Sequence, residues 1–195
     1  MKKKTARKPP PEKKPSERPS KAQETPHAAT STAVFPGSFD PFTRGHLDIL
    51  ERALTIFDKV VVAVLVNESK QSLFTPTERV ALIRAELAPY GKRVVVESFS
   101  GLLVTFVQKV KSRVIIRGLR AISDFDYEAQ MALVNRRLAS NIETFFMTSR
   151  EEHSYISSSI VKQVALLGGD VSAMVPNGVA KALTKRYRGR KGRRG

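Results

Sequence analysis

From Thr32 onward, short apolar runs alternate with stretches whose apolar residues recur every three to four positions. Ala33-Val34-Phe35 meets Pro36-Gly37 and reads as a strand entering a turn. Leu47, Leu50, Leu54 and Phe57 then recur at helical spacing. Val60–Val66 is a continuous apolar run, the mark of a strand buried on both faces. Thr75-Pro76-Thr77-Glu78 is a helix start: threonine caps, proline takes the first helical position and glutamate closes a capping box. Val80, Ile83 and Leu87 supply that helix's apolar stripe. Arg93–Glu97 reads as a third strand, about Leu102–Lys111 as a helix, and Val114-Ile115-Ile116 as a fourth strand ending at Arg117-Gly118. A long helix fits Asp124–Leu138, and a fifth strand Thr144–Met147. Ile160, Val161, Val164 and Leu167 mark a helix stopped by Gly168-Gly169, and a last helix fits Asn177–Lys185. There is no internal repeat.

Strand and helix in regular alternation predict parallel strands joined by right-handed crossovers, with helices on both faces. The expected fold is α/β: a five-stranded, doubly wound, Rossmann-like parallel sheet in a single domain. Ligands of such sheets sit beyond the carboxyl ends of the strands. Chemistry is therefore to be sought in Pro36–His46, Asn67–Thr75, Ser98–Leu103, Arg117–Glu128 and Thr148–Ser159.

Composition narrows the class. The chain has 195 residues and no cysteine, which excludes a disulfide scaffold and a cysteine-based zinc site. No apolar run nears the ~20 residues of a membrane span. No apolar segment follows the basic N-terminus, so no secretory signal is expected and the predicted location is cytoplasmic. The net charge of +16 invites a nucleic-acid reading until its placement is examined. Residues 1–32 hold nine Lys/Arg against three Glu, with six of the eleven prolines and no aromatic residue. Such a segment cannot bury enough apolar surface to offset its ordering entropy, and it reads as disordered. Residues 185–195 carry seven basic and no acidic residues and read as a second disordered tail. The domain between them, 33–184, has 18 basic and 15 acidic residues, a net of only +3. The basicity belongs mainly to the tails, which leaves nucleic acid as a weak, tail-borne interaction at most.

The strand exits carry groups suited to phosphates. After the first strand, Gly37 permits close backbone approach and Ser38 supplies a hydroxyl. Gly45 leaves room beside His46 on the first helical turn, where free amides and the positive helix end favour an anion. A histidine there either donates to a phosphate oxygen or caps its own helix. After the second strand, Lys70 suits a substrate phosphate. After the fourth, Arg117 faces the crevice, Gly118 lets the backbone near a ligand, and Arg120 follows; arginine suits multidentate phosphate binding. Glu128 is set to accept from Arg120 or from a ligand. After the fifth, His153-Ser154-Tyr155-Ile156-Ser157-Ser158-Ser159 brings hydroxyls and free amides to a helix start. Neither G-x-x-x-x-G-K-[ST] nor G-x-G-x-x-G is present, so a nucleotide must be held differently.

The runs PGSFDPFTRGH, IIRGLRAISDFDYE and YISSSIVKQVA, in this order, resemble the bacterial phosphopantetheine adenylyltransferases. These are nucleotidyltransferases marked by [TH]-x-G-H, here Thr43-Arg44-Gly45-His46. The resemblance covers about Ala33–Lys185 and leaves the tails unmatched. It implies transfer of AMP from ATP to 4′-phosphopantetheine, by direct in-line attack, in a homohexamer, with Mg²⁺ accompanying ATP. It implies that His46 stabilises the transition state. ATP would be held by Ser38, Phe39, His46, Gly118, Leu119, Arg120, Glu128, His153, Ser154, Tyr155, Ile156, Ser157, Ser158 and Ser159. Phosphopantetheine would be held by Ser38, Lys70, Leu103 and Arg117. Ser38 stands where threonine is commoner and keeps the hydroxyl; His153 stands where tryptophan is frequent. The competing readings are a nicotinate-mononucleotide adenylyltransferase or a cytidylyltransferase of the same motif class, and a nucleic-acid-binding protein on a borrowed fold.

Overall fold

The computed structural model describes residues 31–67, 71–120 and 122–191. Five strands, β1 (Thr32–Gly37), β2 (Lys59–Leu65), β3 (Val94–Phe99), β4 (Val114–Leu119) and β5 (Glu143–Thr148), form one parallel sheet in the order β3-β2-β1-β4-β5. The chain starts in the middle, builds outward to β3, then returns to the other side of β1. This is the doubly wound α/β architecture expected from the alternation of elements. The helices are α1 (Arg44–Ala53), α2 (Pro76–Leu87), α3 (Leu103–Lys109), α4 (Ile122–Leu138), α5 (Glu151–Ser154), α6 (Ser158–Leu166) and α7 (Asn177–Lys191).

The two-residue period of the central strands divides the core between the faces of the sheet. Ala33 and Phe35 of β1 and Val60, Val62 and Val64 of β2 pack on one side with Ile49, Leu50, Ile83 and Leu183. Val34, Val61, Ala63 and Ile115 pack on the other with Val104, Phe106 and Val107. Burial of each such side chain contributes ~1.5–3 kcal/mol, which makes these strands a rigid base for the loops at their ends. The capping box of α2 is formed as the sequence predicts. Glu78 N–H donates to Thr75 Oγ1 at 3.2 Å, and Thr75 N–H donates to Glu78 Oε2 at 2.8 Å. Among the described residues, no helix is long and apolar enough to cross a membrane.

Three elements differ from the sequence reading. β4 continues through Arg117 and Gly118 to Leu119, because β5 pairs along its whole length up to Leu119↔Thr148. A short helix, α5, sits in what reads as loop. The third difference corrects the C-terminal boundary: α7 runs to Lys191, so residues 185–191 are helical, while residues 1–30 and 192–195 lie outside the described residues. Local composition marks this stretch as a solvated tail, but tertiary packing overrides it. Leu183 and Tyr187, one helical turn apart, are buried in the core. Between them Arg186 pairs with Glu78 of α2, and its guanidinium lies 4.9 Å from the Phe74 ring centroid. Replacing Arg186 with alanine is expected to cost about 1 kcal/mol in urea denaturation, the scale of one half-exposed ion pair and cation–π contact.

Candidate active site

β1 lies between β2 and β4, where the direction of strand addition reverses. Its ladder with β2 continues to Gly37↔Val64, but its pairing with β4 is confined to Ala33↔Val114 and Val34↔Ile115. Beyond Val34 the two strands part, and a cavity of about 430 Å³ opens at their carboxyl ends. Pro36–Phe39, Thr43, His46, Arg117, Gly118, Arg120, Glu128, Ser149, Ile156 and Ser158 are among its lining residues.

The turn after β1 shapes one wall. Phe39 takes a left-handed conformation (φ 47°), which folds its ring back over Gly37. A Cβ on Gly37 would lie 2.8 Å from that ring, so glycine is required for the close approach. The Phe39 ring also meets His46 edge-on at 5.0 Å, and Phe42 stacks on His46 at 5.6 Å.

His46 occupies the third position of α1 and caps its own helix, one of the two roles the sequence leaves open. Its backbone N–H donates to the Thr43 hydroxyl at 3.3 Å, while its ring Nδ1 accepts from the Thr43 backbone N–H at 3.0 Å. This is a capping box with imidazole in the place of glutamate. A backbone N–H only donates, so Nδ1 must be the acceptor, and a neutral ring carries its proton on Nε2. The ring is neutral: burial, assisted by the positive charge of Arg120, lowers its pKa from the ordinary 6.5 to about 4. Thr43 thus fixes the tautomer, the phenylalanines fix the ring, and Nε2–H is the atom left for a ligand. The space that Gly45 leaves open is taken by α5, since a Cβ there would lie 3.6 Å from the His153 carbonyl oxygen.

The opposite wall belongs to β4. Arg117 Nε lies 3.1 Å from Glu128 Oε2 of α4, an ion pair without an aligned hydrogen bond, and its Nη1 donates to the Pro36 carbonyl at 3.4 Å. Arg120 pairs with Asp124, at 3.1 Å. Of the two partners the sequence leaves open for Glu128, Arg120 or a ligand, the first is not taken up: the carboxylate reaches back to Arg117 on the strand, and Asp124, one turn nearer on α4, takes Arg120. Of the serine cluster, Ser157 caps α6 by accepting from Ile160 N–H at 3.1 Å. Ser158 donates to the Pro41 carbonyl at 2.8 Å and lines the cavity, as does the buried Ile156.

The other sequence candidates stand outside the lining. Leu103 packs against the core of the opposite face. Leu119, Ser154 and Ser157 are half-buried, and Tyr155 and Ser159 are exposed. His153 is half-buried, with its Nδ1 buried and without a hydrogen-bond partner. Lys70 lies outside the described residues. The sequence reading missed Ser149, whose buried hydroxyl has no protein partner and lines the cavity. Its position immediately after β5 was the available signal. Thr43 is a motif letter in the sequence; in the structure it is the partner through which His46 caps its helix.

Comparison with known proteins identifies the family. A cytidylyltransferase-like family model matches residues 34–164. A Clostridium perfringens protein named phosphopantetheine adenylyltransferase is 53% identical over 153 residues, covering 78% of this chain and 93% of the relative. Relatives of the same name from Heliobacterium modesticaldum and Geotalea daltonii are 52% and 53% identical, covering 80% of this chain and 93% and 96% of their own. A solved structure from Vibrio parahaemolyticus, described as a candidate nicotinate-nucleotide adenylyltransferase, superposes with a TM-score of 0.61 at 18% identity, covering 80% of this chain and 99% of its own; it speaks for the fold alone. With a family model spanning its core and relatives at half identity over nearly their whole length, this chain belongs to the phosphopantetheine adenylyltransferases, within the cytidylyltransferase-like nucleotidyltransferases.

Proposed function

We propose that this enzyme transfers the adenylyl group of ATP to 4′-phosphopantetheine, giving dephospho-CoA and pyrophosphate, the penultimate step of coenzyme A biosynthesis. One observation carries the chemistry: a neutral histidine with a fixed Nε2–H at the switch point of the sheet, among arginine, serine and backbone donors. The acceptor follows from the relatives, which are named for phosphopantetheine.

A phosphate oxygen of phosphopantetheine attacks the α-phosphorus of ATP, and the bond to pyrophosphate breaks on the opposite side. No protein nucleophile is needed, so catalysis is positioning and charge stabilisation. His46 Nε2–H donates to a non-bridging α-phosphate oxygen as charge grows there. Ser38 meets both substrates. Arg117, held by Glu128 and the Pro36 carbonyl, serves the acceptor with Lys70 and Leu103. Gly118, Leu119, Arg120 and the segment from His153 to Ser159 serve ATP. Glu128, in the cavity wall with Arg120, contributes to the nucleotide site directly.

Mg²⁺ would accompany the nucleotide, as the resemblance implies. Among the described residues no three His, Cys, Asp or Glu cluster to hold a metal, and Glu128 in the cavity wall faces Arg117. This donor set suits an ion carried mainly on substrate phosphates, with the Ser38 and Ser149 hydroxyls at hand. When bound, it neutralises charge on the leaving pyrophosphate. A homohexamer and a cytoplasmic location complete the reading. The exposed Leu133, Val134 and Leu138 of α4 and Phe145 of β5 support burial between copies of the chain.

The test is an acceptor screen with ATP and Mg²⁺. Pyrophosphate release is expected with 4′-phosphopantetheine and not with nicotinate mononucleotide. The opposite pattern, or CTP outperforming ATP as donor, replaces this reading with one of its motif relatives.

A further inference from the structure

Beneath the Ser38 side of the cavity lies a charged group that the mechanism above leaves unused. Arg79, on α2, is 3% exposed. Its Nη1 donates to the Ser38 carbonyl at 2.5 Å and to the Leu65 carbonyl at 3.1 Å. Ser38 follows β1 and Leu65 closes β2, so one guanidinium ties the exits of two neighbouring strands. Asp40, 5% exposed, works from the same turn. Its carboxylate accepts from Leu73 N–H at 2.8 Å and Phe74 N–H at 2.9 Å, just before α2, and meets Lys162 of α6 at 3.1 Å. Both described ends of the β2–α2 connection are thus anchored to the Ser38–Asp40 turn.

Burial lowers the pKa of the Arg79 guanidinium, and the Asp40 carboxylate opposes this. Burying such a charge is costly, and apolar packing would fill the space without that cost. What apolar packing cannot do is satisfy two backbone carbonyls at strand exits, as the two N–H groups of Arg79 Nη1 do. One of those carbonyls belongs to the residue whose hydroxyl meets both substrates.

We propose that Arg79 is a positioning residue for the acceptor side of the reaction: by holding the Ser38 and Leu65 carbonyls together, it sets the Ser38 hydroxyl where the acceptor phosphate arrives. Asp40 supplies its counter-charge and braces the same turn. This rests on the reading of Ser38 as a phosphopantetheine contact.

The test is Arg79→Lys, which keeps the charge opposite Asp40 but ends its donor nitrogen one bond short of the Nη1 position that reaches both carbonyls. KM for phosphopantetheine is expected to rise about tenfold, the scale of one lost hydrogen bond, and ATP affinity to fall by a smaller factor, ~3-fold, because Ser38 is one of many groups proposed for the nucleotide and one of few for the acceptor. A double-mutant cycle with Ser38→Ala separates positioning from general support. If Arg79 acts through Ser38, the lysine substitution adds little to the loss already caused by Ser38→Ala. Fully additive losses, an unchanged KM in a folded Arg79→Lys enzyme, or equal losses for both substrates together with a lowered Tm each overturn the proposal. If Arg79→Lys does not fold, Arg79→Gln takes its place in the cycle, and failure of both to fold assigns the residue to stability alone and likewise overturns it. A wild-type enzyme that ignores phosphopantetheine defeats the functional reading instead; the same cycle, run with the acceptor it does use, still decides the role of Arg79.

Discussion

His46→Ala is expected to lower kcat by about 10²- to 10³-fold, while the dissociation constant for ATP changes by less than ~3-fold. This is the usual scale for losing one donor aimed at charge that develops in the transition state. The split between the two readouts follows from the geometry. Nε2–H is fixed before the nucleotide arrives, because Nδ1 is committed to the Thr43 N–H and the ring is wedged against Phe39 and Phe42. Its donation therefore strengthens as the α-phosphate oxygens gain charge, and adds little to ground-state binding. Alanine also removes the acceptor for the Thr43 N–H, which should cost about 1 kcal/mol of stability through the lost cap. His46→Gln separates the two roles. Glutamine in this position restores a conventional capping box with Thr43, so the stability should return, but its amide cannot cap and reach the phosphate from the far side of a ring. Recovery of both stability and kcat in His46→Gln, or near-normal kcat in His46→Ala, would reduce the histidine to a cap.

What the sequence made legible here is what short-range periodicity encodes. Val60–Val66 had to be a strand buried on both faces, and Thr75-Pro76-Thr77-Glu78 had to start a helix; both stand in the structure within a residue or two. Knowing the strands gave their exits, and the exits gave Ser38, His46, Arg117, Gly118, Arg120, Glu128, Ile156 and Ser158, all in one cavity. What escaped is long-range. Arg79 sits in a helix where an arginine ordinarily faces water, and its acceptors are 41 and 14 residues away in sequence. The exchange of partners between Arg117 and Arg120 depends on β4 running to Leu119, which β5 decides from the far side of a helix. The extension of α7 depends on Tyr187 finding the core, against a composition that favours solvent. Leu103 enters by resemblance alone, and its packing with the core of the second face is likewise a long-range contact.

The same neutral ring makes a second strong expectation, for stability against pH. His46 in the folded protein has its pKa lowered to about 4, against an ordinary 6.5. Between these values the unfolded chain takes up a proton that the folded chain refuses, so stability falls as pH falls. Above pH 6.5 both states are neutral at this residue and nothing is lost; below about pH 4 both are charged and the loss has reached its full ~3 kcal/mol. At pH 5 the expected loss is about 2 kcal/mol, read as the difference between wild type and His46→Gln in urea denaturation at pH 7.5 and pH 5. The comparison isolates the histidine. Asp58, Glu78 and Asp170 have pKa values lowered chiefly by backbone hydrogen bonds from Ser31, Thr75 and Ser172, and they withdraw their support at more acid pH in both proteins alike. A difference that stays flat from pH 7.5 to 5 would mean that the folded ring takes up its proton normally. Nδ1 would then be protonated near neutrality and could not accept from Thr43, so the bond that orients the ring would break while Nε2 kept its proton, and kcat would change near pH 6.5 with that loss of orientation. With the ring neutral, kcat should show no limb from this residue until the pH approaches 4, because the donor is an ordinary N–H and no proton has to be taken up to make it.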